Sequence, residues 1–438
     1  MKLGRVLALY GLALPAFAQY AGPAILSRGE APAAMVAPEI KFRPFVEIGA
    51  NYDTGLSGVA VTNAQGDLAN LGSYGVRLSW GVSGTHSWRH TKLGLSYGGS
   101  LEHLQKSAYD SLSQSFLLGI KHQLSRHMTL SLSESAGIFT RAFGLGGLSQ
   151  TVPFDPSQSY IPTTDFFDNR TIYSSTQVGL IIQKTARLSF AFGGNVFETR
   201  YRAAGLVGTN GAGATGNVQY RISRRSTIGA GYNYQHFAYR GAFGSTEVHG
   251  FAGTFARSLS AKVEFSGSAG ASRIEPKFVE SVAVDPVIAI LLGVTSTTEI
   301  AHFVSWTPTG NARISRTFRD GVLYLTAGRS IVPGNGLFTT SYSDGVSGGY
   351  EYTGLRRWSV GSRVGYDRSK SVGNFTGIYS SLSGGITASR QIVRNVHFVV
   401  GYNARKYKSP DFNNYNRVIQ EASVGIGYTP GDVPLRIW

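Results

Sequence analysis

The sequence predicts an all-β fold: a closed antiparallel transmembrane β-barrel of about 18 strands, or 16 at the lower limit. Three observations predict it. Apolar and polar residues alternate along many segments, short turns recur at regular intervals, and no apolar run beyond the N-terminus approaches the length of a spanning helix. Alternation is the pattern of a strand with two different faces. Closure satisfies every backbone hydrogen bond within lipid, which an open sheet edge cannot do.

The composition fits a surface that water covers only in part. The 438 residues include 56 Gly, 23 Tyr and 24 Phe, and only 15% are charged, whereas soluble domains average about 25% charged residues. The chain has no Cys, which excludes disulfides and thiolate metal sites. This mixture is rich in strand and turn formers and poor in surface charge, as expected of a barrel wall.

The first 18 residues are typical of a signal peptide. Lys2 and Arg5 precede a short apolar stretch that ends in an A-x-A site, so we expect cleavage before Gln19. Residues 19–40, rich in Ala and Pro, are predicted to be a periplasmic lead-in, and residues 41–438 the barrel. Because the chain is exported, its net charge of +16 points to anionic lipid or solutes and not to nucleic acid.

The stretch YRISRRSTIGAGYNY, residues 220–234, shows the repeated unit: two alternating segments joined at Arg224 and Arg225. Comparable turns are centred near residues 88, 125, 185, 224, 259, 320, 356 and 394. Successive turns are about 37 residues apart, except where two long inserts widen the spacing. Short turns on one side and longer loops on the other are typical of transmembrane barrels. Aromatic residues near strand ends predict interfacial belts: Trp88, Tyr234, Trp358, Tyr366 and Tyr402.

Charged residues on the polar parity of the strands predict the character of the lumen. The predicted inward bases are Arg77, Lys92, Lys121, Arg221, Lys262, Arg313, Arg363 and Arg405, and the predicted inward acids are Glu47, Glu102, Glu264 and Asp367. Eight bases against four acids favour the passage of anions, unless these charges pair as structural ladders. Glu134 lies on the apolar parity, which predicts a bulge there or a position near the interface.

The segment Phe278–Ile300 is unusually apolar for a surface loop. Asp285 and Pro286 form a favoured helix start and Gly293 a favoured helix end. We therefore expect a short helix over residues 286–292, packed into the barrel mouth as a constriction. The side chains that it would bury are Ile288, Ile290, Leu291 and Leu292. The alternatives are that the segment caps the pore or meets a partner or the membrane surface.

Other motifs do not favour catalysis. GAGATG, residues 211–216, has the letters of a phosphate-binding loop but leads into a strand and not a helix. The nine His include no H-E-x-x-H pair. We expect no enzyme activity, no cofactor and no metal site, although a catalytic Ser, His and Asp on adjacent strands would leave no linear motif.

In its layout the chain resembles Gram-negative outer-membrane β-barrels, in particular porin-like barrels and barrels associated with exopolysaccharide export, from Lys41 to Tyr428. In that family the final strand ends in an aromatic residue that the barrel assembly machinery reads. Trp438 supplies the aromatic, but Pro430 and Pro434 interrupt the last residues, so the segment EASVGIGY before them is the better strand.

The resemblance implies an outer-membrane location, contact with membrane lipid and lipopolysaccharide, and passive passage of small hydrophilic solutes, anions among them. It leaves the oligomeric state open. Two alternatives remain: a conduit or accessory barrel for exopolysaccharide export, and a plugged barrel that binds ligands at its surface.

Overall fold

The computed structural model describes residues 43–56, 71–105, 110–139, 170–202, 206–240, 243–283, 296–333, 339–352, 354, 358–372, 377–393, 395–410 and 417–430. No helix in this part of the chain is long and apolar enough to cross a membrane. The strands are β1 Arg43–Leu56, β2 Leu71–Ser87, β3 Thr91–Leu104, β4 Ser111–Ser125, β5 Met128–Phe139, β6 Thr171–Gln183, β7 Leu188–Tyr201, β8 Gly208–Arg221, β9 Ser226–Arg240, β10 Gly244–Ser260, β11 Val263–Ala283, β12 Ser296–His302, β13 Ser305–Phe318, β14 Gly321–Val332, β15 Ser341–Tyr352, β16 Trp358–Ser371, β17 Ile378–Val393, β18 Val396–Lys408 and β19 Arg417–Tyr428.

These strands form one closed antiparallel barrel. Each strand pairs with its neighbours in sequence, and β1 pairs with β19 from Val46↔Tyr428 to Asp53↔Glu421, which closes the sheet. β12 and β13 both pair with β11, β13 along its lower part and β12 along its end, so together they form one interrupted strand of the wall. The barrel thus has 18 strands, which confirms the predicted fold.

The connections are short at one end of the barrel and longer at the other. The strands at the first end are separated by residues 88–90, 126–127, 184–187, 222–225, 261–262, 319–320, 353–357 and 394–395. Six of the eight predicted turn centres lie within these ranges, and the other two, 125 and 259, lie in the last two residues of β4 and β10. At the other end the connections include residues 57–70, 140–170 and 284–295. Short turns mark the periplasmic end of such barrels, so the longer loops are extracellular.

Burial is inverted relative to a soluble protein. In β1, Val46 and Ile48 are 48% and 58% exposed, whereas Asn51 and Asp53 are 4% exposed. The same inversion recurs around the sheet, because the apolar parity faces outward and the Gly, Ser and Thr parity faces inward. An exposed apolar band of this kind is covered by lipid in a transmembrane barrel.

The glycine-rich run of residues 211–216 lies inside β8 and does not precede the strand, as the sequence suggested. Its glycines make room for inward side chains of the neighbouring strands. A Cβ at Gly211 would lie 2.5 Å from the Phe197 ring of β7. The run is therefore a packing feature of the wall and not a phosphate-binding loop.

The predicted bulge at Glu134 is absent. β5 pairs with β4 and β6 without a register shift at this residue, and its outward neighbours along the strand are Leu132 on one side and Ala136 on the other. Glu134 thus faces outward near the middle of β5, and its position near the interface stays a prediction. The Thr176 hydroxyl of β6 donates a hydrogen bond to its carboxylate. The Thr176 side chain on the adjacent strand therefore provides the carboxylate with a hydrogen-bond donor, and no bulge is needed to reorient Glu134.

Replacing Glu134 with leucine is expected to stabilise the barrel by about 1–2 kcal/mol, because a carboxylate facing lipid costs more than an apolar side chain. The matched variant Thr176→Val should act in the opposite direction, since it leaves the carboxylate without its donor. Midpoints of denaturant unfolding in lipid vesicles measure both. A lower midpoint for Glu134→Leu would show that the carboxylate stabilises the fold.

The apolar segment after β11 is only partly a loop. β11 continues to Ala283 and pairs with β12 from Lys277↔His302 to Ala283↔Ser296, so both ends of the predicted loop form a hairpin. The β12 residues 296–300 are exposed, as expected of a hairpin that rises beyond the barrel wall. The predicted constriction residues lie outside the described residues: Asp285, Pro286, Ile288, Ile290, Leu291, Leu292 and Gly293. The helix over residues 286–292 stays a prediction.

Candidate functional site

The interior of the barrel is the candidate site, because its wall is polar along the whole length of the strands. Inward positions are mostly Gly, Ser and Thr, as in β3, where Gly98 and Ser100 lie on the parity of Glu102, and in β17, where Ser381 and Ser383 alternate with outward residues. Small polar side chains leave room within a closed barrel, and 18 strands enclose a space wide enough for water.

The strand register gives the predicted lumen residues the inward parity, with the exception of Lys262. Arg77 pairs with Glu102 across β2 and β3, and Lys92 pairs with Lys121 across β3 and β4. Lys262 lies in the turn between β10 and β11, where it is exposed. The others on this parity are Glu47, Arg221, Glu264, Arg313, Arg363, Asp367 and Arg405.

Sequence reasoning missed three inward carboxylates: Asp53, Glu351 and Glu421. Each lies at or near the end of its strand. If the predicted strand is too short at that end, the residue is not counted among the inward positions. Glu421 shares its parity with Ser423 and Gly425, and that alternation was the available signal. With these three residues, inward acids and bases are close to balance.

A buried cluster around Arg77 lies on the inner face of β1, β2, β3 and β19. The Arg77 Nη2 donates to Glu102 Oε1 at 3.0 Å and to Glu421 Oε1 at 2.6 Å, and the Asn51 amide also donates to Glu102. The three charged side chains are 12%, 6% and 3% exposed. One guanidinium thus pairs with two buried carboxylates, and without it both would lack a cation. Arg77 therefore links the strands through ion pairs, in addition to contributing a positive charge to the lumen.

The inward charges are segregated along the barrel axis. The extracellular half holds the bases Arg77 and Arg405 and the acids Asp53, Glu102, Asp367 and Glu421. The periplasmic half holds the bases Lys92, Lys121, Arg221, Arg313 and Arg363 and the acids Glu47, Glu264 and Glu351. The two halves of the lumen therefore carry opposite net charges: the extracellular half is negative and the periplasmic half is positive.

A set of hydroxyl bonds, here called the mouth latch, lies at the extracellular end. Thr340, just before β15, donates to Thr246 of β10 at 2.7 Å, and the Tyr239 hydroxyl of β9 hydrogen-bonds to both. All three side chains are buried. Since β11 to β14 separate β10 from β15 in the wall, Thr340 contacts a strand that is not its neighbour in the sheet.

Two further contacts and an apolar cluster support the mouth latch. Thr209 of β8 donates to the Pro333 carbonyl at 3.4 Å, and the Val372 amide donates to the Thr340 carbonyl at 2.8 Å. Val372 follows β16, so a second extracellular connection joins the first. Buried apolar residues pack beneath it: Phe237, Val248, Ile274 and Val372. Pro333, Thr340 and Val372 thus lie against β8, β9 and β10 at the inner side of the mouth. The sequence predicted a constriction at residues 285–293, which lie outside the described residues.

A closed 18-strand barrel with an outward apolar band and a polar interior is an outer-membrane β-barrel. No protein-family model and no curated protein matches the sequence.

Solved structures that resemble the barrel are outer-membrane transport proteins. The iron transporter FrpB of Neisseria meningitidis (F3-3 variant) has 12% sequence identity over 84% of this chain and 62% of its own, with a TM-score of 0.42, so the chain spans less than two thirds of FrpB. OpdL of Pseudomonas aeruginosa has 13% sequence identity over 89% of this chain and 98% of its own, with a TM-score of 0.37. OccK5 (OpdH) of the same organism has 11% identity over 92% of this chain and 100% of its own, with a TM-score of 0.40. At these values the likeness carries no argument about function.

Proposed function

We propose that the protein is a passive outer-membrane channel for small hydrophilic solutes. The observation that carries the proposal is the polar inner wall, which continues from the periplasmic turns to the extracellular ends of the strands with charged side chains at every level. Barrels of 16 to 18 strands leave an aqueous lumen unless loops fill it. Solutes would cross by diffusion, and the fixed charges would bias which ions enter.

The mouth latch places Pro333 and Thr340 at the entrance of this channel. Hydroxyl bonds hold these two residues to β8, β9 and β10, which are not their neighbours in the backbone ladder of the sheet. Such bonds contribute about 1 kcal/mol each. Pro333 and Thr340 are therefore held more weakly than the strands, and their position can change without opening the barrel wall.

The ion preference that we propose differs between the two halves. The periplasmic half carries the excess of bases and should favour anions, whereas the extracellular half carries the excess of acids and should favour cations. The predicted anion preference thus applies to the periplasmic half. A lumen with this asymmetry should pass different currents at opposite voltages.

Uptake of uncharged sugars into proteoliposomes tests the channel proposal. We expect swelling rates that fall steeply with sugar size, because the lumen acts as a sieve. Proteoliposomes with the protein inserted and folded, but with no swelling in any sugar, would contradict passive passage and favour a plugged barrel.

Charge reversal in the periplasmic half is expected to change ion selectivity. The double variant Arg221→Glu and Arg363→Glu should shift the reversal potential in a salt gradient toward cations, with the permeability ratio changing by about twofold or more. The variant Arg224→Glu and Arg225→Glu is the control, since it makes the same charge change in the exposed turn between β8 and β9. Equal shifts in both variants would place the effect outside the lumen.

A further inference from the structure

One sector of the outer surface carries four exposed cations that form no ion pair within the described part of the chain. Arg368 and Lys370 lie at the extracellular end of β16, and Lys406 and Lys408 lie at the extracellular end of β18, all on the outward parity and all exposed. No carboxylate among the described residues lies within ion-pair distance of these four side chains. We call them the β16–β18 basic patch.

The register brings the patch together around one residue of β17. Ser380 pairs with Arg368 on one side and with Lys408 on the other. Two inter-strand spacings separate the two cations, about 10 Å between their Cα atoms. Both side chains are long enough to converge on a single phosphate above Ser380.

Of the carboxylates on the neighbouring strands, Asp344 of β15 interacts electrostatically with Arg368 of the patch. Asp344 of β15 pairs with Arg368 in the ladder, but Arg329 of β14 occupies both of its oxygens, with Nε at 2.5 Å and Nη2 at 2.8 Å. On the other side, β19 directs Glu421 inward. Among the described residues, the charges of Lys370, Lys406 and Lys408 are therefore available to an external anion, and Arg368 shares its charge with an aspartate that is already bound by Arg329.

The outward arginines elsewhere on this rim differ in that they share carboxylates. Arg200 and Arg240 both contact Glu198, at 2.8 Å and 3.2 Å. Arg273 contacts Glu275. These arginines lie at the same level of the barrel as the patch, so cations of this rim differ in whether a carboxylate contacts them, and β16 and β18 together hold four that none contacts among the described residues.

The apolar band begins directly below the patch. Tyr366 is the next outward residue of β16 below Arg368, and Leu382 of β17 pairs with Tyr366 on one side and with Lys406 on the other. Tyr402 of β18 lies two outward positions below Lys406, and all three apolar side chains are exposed. A ligand that suits both surfaces has an anionic head and hydrocarbon tails. Phosphate monoesters satisfy several cations at once, and cations near a membrane surface gain about 1 kcal/mol each from anionic lipid.

We propose that the β16–β18 basic patch binds the phosphate monoesters of a lipid in the outer leaflet, with its acyl chains along Leu382 and its neighbours. Arg368 and Lys408 hold the phosphate from two sides, and Lys370 and Lys406 extend the site along the strands. The site lies on the outer surface and is independent of passage through the lumen.

The test measures lipid retention by the purified full chain in nonionic detergent, with native mass spectrometry and lipid A bearing two phosphate monoesters as the probe. Arg368→Gln with Lys408→Gln should weaken retention about tenfold or more. Arg200→Gln with Arg240→Gln removes two rim cations that already have a partner, and it should change retention less than about twofold. The dephosphorylated lipid should bind the wild type and both variants equally weakly.

Three outcomes would overturn the proposal: equal losses in the two variants, equal retention of phosphorylated and dephosphorylated lipid by the wild type, and displacement of the lipid by inorganic phosphate at low millimolar concentration, which would assign the site to a free anion. Heat-modified gel mobility verifies that each variant is folded. If the first variant does not fold, Lys370→Gln with Lys406→Gln carries the same expectation, and unchanged retention there would contradict the site.

Discussion

Replacing Arg77 with methionine is expected to lower the free energy of unfolding by about 3–5 kcal/mol, because it leaves two buried carboxylates without their cation. Glu102 and Glu421 both depend on the same guanidinium nitrogen, and they join strands on either side of β1, where the barrel closes. The loss should therefore appear in the stability of the whole sheet. Denaturant unfolding in lipid vesicles, followed by tryptophan fluorescence, measures it.

Two companion variants separate the charge cluster from general effects. Lys92→Met removes an exposed inward cation in the periplasmic half, and it should change stability by less than about 0.5 kcal/mol. Adding Glu102→Gln and Glu421→Gln to Arg77→Met should recover most of the loss, since no unpaired charge then remains. If Arg77→Met unfolds at the midpoint of the wild type, the cluster does not hold the barrel closed.

Release of the mouth latch is expected to have the second large effect. Tyr239→Phe with Thr340→Val removes the hydroxyl bonds that join the connection after β14 to β9 and β10. Losing about 2 kcal/mol of hydrogen bonding would raise the population of the released latch on the order of 30-fold. Single-channel recordings should show a larger or more frequent high-conductance state.

A matched pair inside the barrel provides the control for the latch. Tyr324→Phe with Thr326→Val removes the same two functional groups from β14, where Thr326 bonds to Ser347 of the neighbouring strand and not to a mouth segment. This variant should keep the wild-type conductance. If both double variants raise conductance equally, the mouth latch does not limit the current.

The sequence predicted the strands and their faces because alternation is a local signal. Leu78 and Trp80 face outward and Arg77 and Ser79 inward in β2, as the parity requires. The turns were equally local, since each is marked by basic residues or by Asp-Gly. Strand count and closure followed from these two signals together with the requirement that no edge remain open in lipid.

What the sequence did not predict depends on residues that are distant in the chain. Arg77 and Glu421 are 344 positions apart, and Tyr239 and Thr340 are 101 positions apart. The first pair requires the register across the closing strands, and the second requires the path of a loop, which no periodicity encodes. The bulge predicted at Glu134 was wrong for a related reason, because the hydrogen-bond partner Thr176 lies on another strand beyond a long connection.

Single-channel conductance of the purified barrel in a planar bilayer tests directly whether the protein is a channel. We expect stepwise currents that scale with salt concentration and differ between the two polarities, because the two halves of the lumen carry opposite net charge. Folded, inserted protein that produces no current steps at any voltage, in the wild type and in the latch variant alike, would contradict a channel.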